Sequence, residues 1–127
     1  MLGVKYHSAI LPTNPLILNQ TVFFDGCGDP EIYPRPDATA YCTGFPDPPI
    51  IVTERPGQEE VRPDAIRTIV EAVRAASGGG DDGVLTRDPI VEQSCYLPTT
   101  RDGLLVMGEL LGSKGKGCFV AAGHGCW

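Results

Sequence analysis

Glycine and proline interrupt this chain so often that no long regular element can run through most of it. Sixteen glycines and twelve prolines sit among 127 residues, about 22% of the chain against roughly 12% in an average protein. Glycine costs backbone entropy inside a helix or strand. Proline removes a backbone donor and breaks a helix interior. Helical bundles and coiled coils are excluded on that ground. Short strands joined by tight turns remain, with a helix only where the punctuation lapses.

It lapses longest between Pro63 and Gly78. There Ile66, Ile69, Val70 and Val73 recur at i, i+3, i+4 and i+7, one apolar helical face. Pro63 suits a first helical turn and Asp64 the positive end of the dipole. The spacing predicts a helix from Pro63 to Ala76. Ser77-Gly78-Gly79-Gly80-Asp81-Asp82-Gly83 ends it and reads as a flexible loop.

The rest reads as strands. Lys5–Leu11 is one, closed by Pro12 and Pro15. Gln20–Phe24 is a second, broken by Asp25-Gly26-Cys27-Gly28-Asp29-Pro30. Glu31–Arg35 and Thr39–Phe45 flank the turn Pro36-Asp37-Ala38 and form a hairpin. Ile50–Thr53 is a short extended piece after a rigid Pro46-Asp47-Pro48-Pro49 connector. Ile90–Leu97 and Leu104–Met107 are further strands, and Cys118–Ala122 is a last one, expected to be buried. Strands, one long helix, then strands imply an α+β fold with a mainly antiparallel sheet.

Ten basic residues against sixteen acidic ones leave a net charge of −6, and no basic patch exists, so nucleic acid is a poor partner. Apolar runs such as Ile50-Ile51-Val52 are far short of the 18 or so residues of a membrane span. The first residues lack a signal peptide's basic start and apolar stretch. If Met1 is the true start, an intracellular, cytoplasmic location follows, with an organelle left open. Five cysteines, an odd and widely spaced set, do not form a secreted disulfide framework. No Cys-x-x-Cys pair occurs, and Cys118, His124 and Cys126 lack a familiar ligand spacing, so no metal is expected. Most of the thiols are expected to be small buried groups, and His7 a satisfied core histidine.

Three constellations could carry chemistry. Gly123-His124-Gly125 follows the last strand; glycines let a backbone approach a ligand, and His124 would sit at a strand's carboxyl end, where open α/β sheets bind ligands. A plain turn with a histidine capping a carbonyl accounts for the same residues. Cys95-Tyr96-Leu97-Pro98-Thr99-Thr100-Arg101-Asp102-Gly103 contains a turn in which Thr100 and Asp102 bond to their own backbone. Tyr33-Pro34-Arg35-Pro36-Asp37 faces Tyr41 across the hairpin; Arg35 either meets a carboxylate ligand or pairs with Asp37 at the surface.

In order, these segments resemble a known family. Cys-Tyr-x-Pro-x-Thr-x-Asp-Gly (Cys95 to Gly103), a strand with Met107-Gly108, and a strand running into Ala122-Gly123-His124-Gly125 are similar to the C-terminal part of the D-amino-acid-oxidase-like superfamily. These are FAD-dependent oxidoreductases that include glycine oxidase and monomeric sarcosine oxidase. The hairpin from Ile32-Tyr33-Pro34-Arg35-Pro36-Asp37 to Tyr41-Cys42-Thr43-Gly44 looks like that family's substrate-domain hairpin. The resemblance covers residues from about Gly3 to Trp127.

The resemblance implies an antiparallel substrate-domain portion over residues 1–97. It also implies a returning segment of a FAD-binding domain over 98–127. It implies FAD as cofactor and a small-molecule amine or amino acid as substrate, oxidised at a CH–NH group. His124 would be the catalytic residue, and Cys95, Asp102, Gly103, Gly123 and Gly125 would bind the cofactor. Gly123, His124 and Gly125 match the motif beside the isoalloxazine ring. Asp102 and Gly103 match the turn that brings the chain back to the FAD domain. Cys95 stands seven residues before Asp102, where sarcosine oxidases carry a cysteine bonded to the flavin; relatives also carry it without the bond.

Three departures are visible. No Gly-x-Gly-x-x-Gly follows a strand, so the pyrophosphate cradle is absent from these residues. The family's helix after Gly-His-Gly, whose N-terminus favours charge on a reduced flavin, has no counterpart before Trp127. Trp127 also stands where sarcosine oxidases place a lysine for oxygen activation, which leaves a dehydrogenase open. The expectation is therefore a fragment of the family fold that binds FAD weakly or not at all when alone and tends to self-associate. The alternative is a truncated non-catalytic product or interaction module that binds no flavin.

Overall fold

The computed structural model describes residues 2–13, 19–78, 83–110 and 117–124. The order is β1 (Leu2–Pro12), β2 (Val22–Phe23), β3 (Glu31–Pro34), β4 (Thr39–Gly44), β5 (Ile50–Ile51), α1 (Pro63–Ala76), β6 (Val91–Thr99), β7 (Val106–Glu109) and β8 (Phe119–Ala122). With one helix and antiparallel ladders among the described residues, the fold is α+β. Contacts divide the chain into two units. One comprises Tyr6–Pro46 and Glu59–Cys95; the other Met1–Lys5, Asp47–Gln58 and Tyr96–Trp127.

In the first unit the sheet order is β2-β3-β4-β1, all antiparallel. The expected hairpin is β3–β4, with Tyr33 opposite Tyr41 and Ile32 opposite Cys42. Its turn is fixed by Asp37, whose Oδ1 accepts from the Thr39 N–H at 3.2 Å and the Thr39 hydroxyl at 2.6 Å. Those bonds, the hydroxyl first, hold the Asp37 carboxyl below the ordinary aspartate value. Strand alternation turns Ala9, Leu11, Ile32, Ala40 and Cys42 to one face. The helix delivers Ile66, Ile69, Val70 and Val73 against it, and Leu85 completes the core. Each buried Leu, Ile or Val of this set contributes on the order of 1.5–3 kcal/mol by leaving water, and each alanine less.

The helix spans the residues its spacing predicts. Pro63 opens it, Asp64 lies in the first turn and Arg74 in the last, each matching the dipole. Arg62 provides no side-chain cap. Instead its backbone N–H donates to His7 Nε2 at 3.1 Å. His7, 1% exposed, is the satisfied core histidine the sequence suggested. At the other end Ser77 N–H reaches the Val73 and Arg74 carbonyls, and Gly78 follows at φ +100°, the left-handed stop that glycine makes easy. Arg74 then ties the following loop to the helix, donating to the Leu85 and Arg87 carbonyls and to Asp88. Residues 79–82 of the expected flexible loop, and 14–18 after the first strand, lie outside the described residues.

In the second unit β1 begins by pairing with β5, Leu2 opposite Ile51 and Gly3 opposite Ile50. Gly3 is required there. A Cβ would fall 2.7 Å from Val52 Cγ1 and 3.0 Å from Tyr96 Cβ. The same unit holds the β7–β8 ladder, from Val106 opposite Ala122 to Glu109 opposite Phe119.

Two expectations about burial are corrected. The last strand is not buried: Phe119 is 72% exposed, and β7 is exposed throughout. Apolar composition does not tell which face has a neighbour. Nor are most thiols buried: among the described residues Cys42 is, whereas Cys27, Cys95 and Cys118 are exposed. Among the described residues, no helix is long and apolar enough to cross a membrane.

Candidate functional site

The turn between β6 and β7 is built by its own side chains. The Thr100 hydroxyl donates to the Leu104 carbonyl at 2.6 Å. The Leu104 N–H donates to Asp102 Oδ1 at 3.1 Å. Gly103, at φ +71°, takes a conformation that strains residues bearing a Cβ, and its N–H points back to the Thr100 carbonyl at 3.4 Å. The Leu104 N–H first, and the Thr100 hydroxyl second, hold the Asp102 carboxyl below its ordinary value. A fixed, ionised acceptor results, with Gly103 open beside it: a Cβ there would meet nothing within 4 Å.

The β7–β8 register decides what lies next to this turn. Ala122 pairs with Val106, so Gly123 falls beside the residues that lead into β7. At φ +84°, a Cβ on Gly123 would lie 3.3 Å from the Leu104 carbonyl oxygen and 3.3 Å from Thr100 Cγ2. The adjacent Asp102 and Gly103 thus share one end of the ladder with Gly123, 20 residues beyond Gly103, and exposed His124 follows directly. Gly125 lies outside the described residues. Cys95 is exposed on β6 and belongs to the other unit.

Close by in sequence, Thr99 and Arg101 line an open cavity of about 430 Å³ with Leu2 and Ile51. Composition gave no sign of it, because it needs the β1–β5 pairing to exist. Arg35, the other arginine considered, has its guanidinium 5.7 Å from the centroid of the Tyr41 ring. Its charge is also one of the smaller influences lowering the Asp37 carboxyl. Among the described residues no group of three or more His, Cys, Asp or Glu side chains could hold a metal ion.

Comparison with known proteins is sparse. No protein-family profile matches the sequence, and no solved structure matches. The chain is 30% identical over 134 aligned positions to the Schizosaccharomyces pombe protein named "Putative oxidoreductase C1F5.03c". The match takes in 98% of this chain and 32% of that protein. The chain therefore spans about a third of the length of the relative it matches, and the likeness is to an oxidoreductase in the general sense.

Proposed function

We propose that this chain is part of a FAD-dependent oxidoreductase of the D-amino-acid-oxidase-like kind, acting on a small amine or amino acid at a CH–NH group. One observation carries the reading. Two segments that resemble the family's flavin-facing motifs, Asp102-Gly103 and Gly123-His124, lie at one end of a single strand ladder. The likeness to a protein named as an oxidoreductase supports the reaction class.

The donor set fits part of such a cofactor. An ionised Asp102 accepts from hydroxyl or ring N–H groups and repels phosphate, so it suits the ring and sugar-alcohol portion rather than the pyrophosphate. Such a cofactor, when bound, would supply the two-electron acceptor for oxidation at the amine-bearing carbon. The chain's own part is to bind and position. Gly103 leaves backbone uncovered beside Asp102. Exposed His124 presents an imidazole at the same end of the ladder. Gly123 keeps that end of the ladder close to Leu104. Exposed Cys95 is a thiol that could carry a flavin linkage.

The test is the flavin content of the protein as its own cells make it, isolated through a tag at the locus. FAD should copurify and be released by acid, and Gly123→Val should reduce it. Flavin that stays with acid-precipitated protein, and is lost in Cys95→Ser, identifies a covalent bond. A preparation without flavin overturns the proposal. It would favour the competing reading, an interaction module, for which the exposed Leu104, Leu105, Val106, Met107 and Phe119 speak.

A further inference from the structure

The face of the β2-β3-β4 sheet opposite the helix carries aromatic rings that the core does not use. Alternation sends Val22 and Phe24 toward the core and Phe23 to the other face, where it is 63% exposed. Phe23 pairs with Glu31 and Tyr33 with Tyr41. The Phe23 and Tyr33 ring centroids are 5.6 Å apart with planes at 86°. Tyr33 and Tyr41 follow at 5.8 Å and 61°. The Tyr33 hydroxyl donates to Glu31 Oε2 at 2.6 Å. Glu31 Oε1 has no hydrogen-bond partner among the described residues. Two rings near a right angle and a carboxylate held by one of them thus meet at one corner of the sheet.

A second observation shows what such a row attracts. At its other end the Arg35 guanidinium lies 5.7 Å from the Tyr41 centroid, within the range where a ring quadrupole draws a cation. The Phe23–Tyr33 end has the same ring chemistry plus a carboxylate, and the chain's net charge of −6 favours cations over anions. We infer that the Phe23–Tyr33–Glu31 corner binds a small alkylammonium ion, its charged head against the ring faces and beside Glu31. Arg35 does not forbid this. Its backbone lies four residues, roughly 13 Å, along the strand from that of Glu31, and its guanidinium sits over Tyr41, at the other end of the row. The inference is independent of the flavin reading, and either can fail alone.

Choline and its neutral carbon isostere, 3,3-dimethyl-1-butanol, separate charge from apolar contact. Each is titrated into the isotope-labelled full chain at fixed ionic strength and followed by NMR. Choline should give saturable shifts at Phe23, Glu31 and Tyr33, and the isostere should give none. Phe23→Leu keeps apolar area on an exposed site, so the fold should persist. It should weaken choline binding about threefold to thirtyfold. Glu31→Gln should weaken it as well. Equal shifts from choline and isostere, no saturable shift from choline, or unchanged affinity in Phe23→Leu would each overturn the site.

Discussion

The Leu104 main-chain N–H donates to Asp102 Oδ1 at 3.1 Å, so the carboxylate of one residue fixes the direction in which the chain leaves the turn two residues later. That bond, seconded by the Thr100 hydroxyl, lowers the Asp102 pKa. Asp102 should therefore titrate below the ordinary value of about 3.9. Because the folded pKa is depressed, its stabilisation is fully present above the unfolded value and lost as pH falls through the folded one. A carboxyl-carbon NMR titration reads the midpoint directly, and Asp102→Asn should move the Leu104 amide resonance. An unshifted midpoint would mean that the bond is not held in solution.

Gly123 and Gly103 both have positive φ, but only Gly123 is crowded. A left-handed conformation costs a residue bearing a Cβ roughly 1–2 kcal/mol. Gly103→Ala should cost about that, since nothing lies within 4 Å of the new methyl. Gly123→Ala adds a contact at 3.3 Å with the Leu104 carbonyl oxygen, so it should loosen the ladder more. Hydrogen exchange at Val106–Glu109 measures this, with faster exchange in the Gly123 variant than in the Gly103 variant. The reverse order would remove the packing reason for a glycine at position 123.

How much of this was legible in the sequence depends on how local each determinant is. The helix was readable to its ends, because Pro63, the period of Ile66, Ile69, Val70 and Val73, and Gly78 all act within a turn or two. The Thr100–Asp102 turn was readable for the same reason: both side chains bond to backbone within four residues. The approach of Gly123 to Leu104 was not, since it depends on the β7–β8 register. The Phe23–Glu31 pairing was hidden likewise, behind a two-residue strand. Cys95 and Phe119 were misjudged because apolar character speaks of what a side chain avoids, not of whether a neighbour covers it.

His7 should matter to the start of the helix from 55 residues away. Its Nε2 accepts the Arg62 N–H at 3.1 Å, so that nitrogen carries no proton in this arrangement. His7→Phe keeps a ring in a site 1% exposed but removes the acceptor. The cost should be about 1–3 kcal/mol, seen in urea denaturation, with faster exchange of the Arg62 amide. Unchanged exchange at Arg62 would show that another partner satisfies it.

Cys42 should be the inert thiol of the described set. It is fully buried, and that burial pushes its pKa up to about 12, so almost no thiolate forms near neutral pH. Cys27 and Cys118 are exposed. Iodoacetamide under mildly alkaline, native conditions should label Cys27 and Cys118 quickly and leave Cys42 unlabelled until urea is added, as read by peptide mass spectrometry. The pH dependence runs opposite to that of Asp102. The folded state prefers the protonated thiol, so this contribution to stability is complete below about pH 9 and is lost as pH rises toward about 12. Labelling of Cys42 at the rate of Cys27 would mean that β4 opens from the sheet far more often than its pairing with both β1 and β3 predicts.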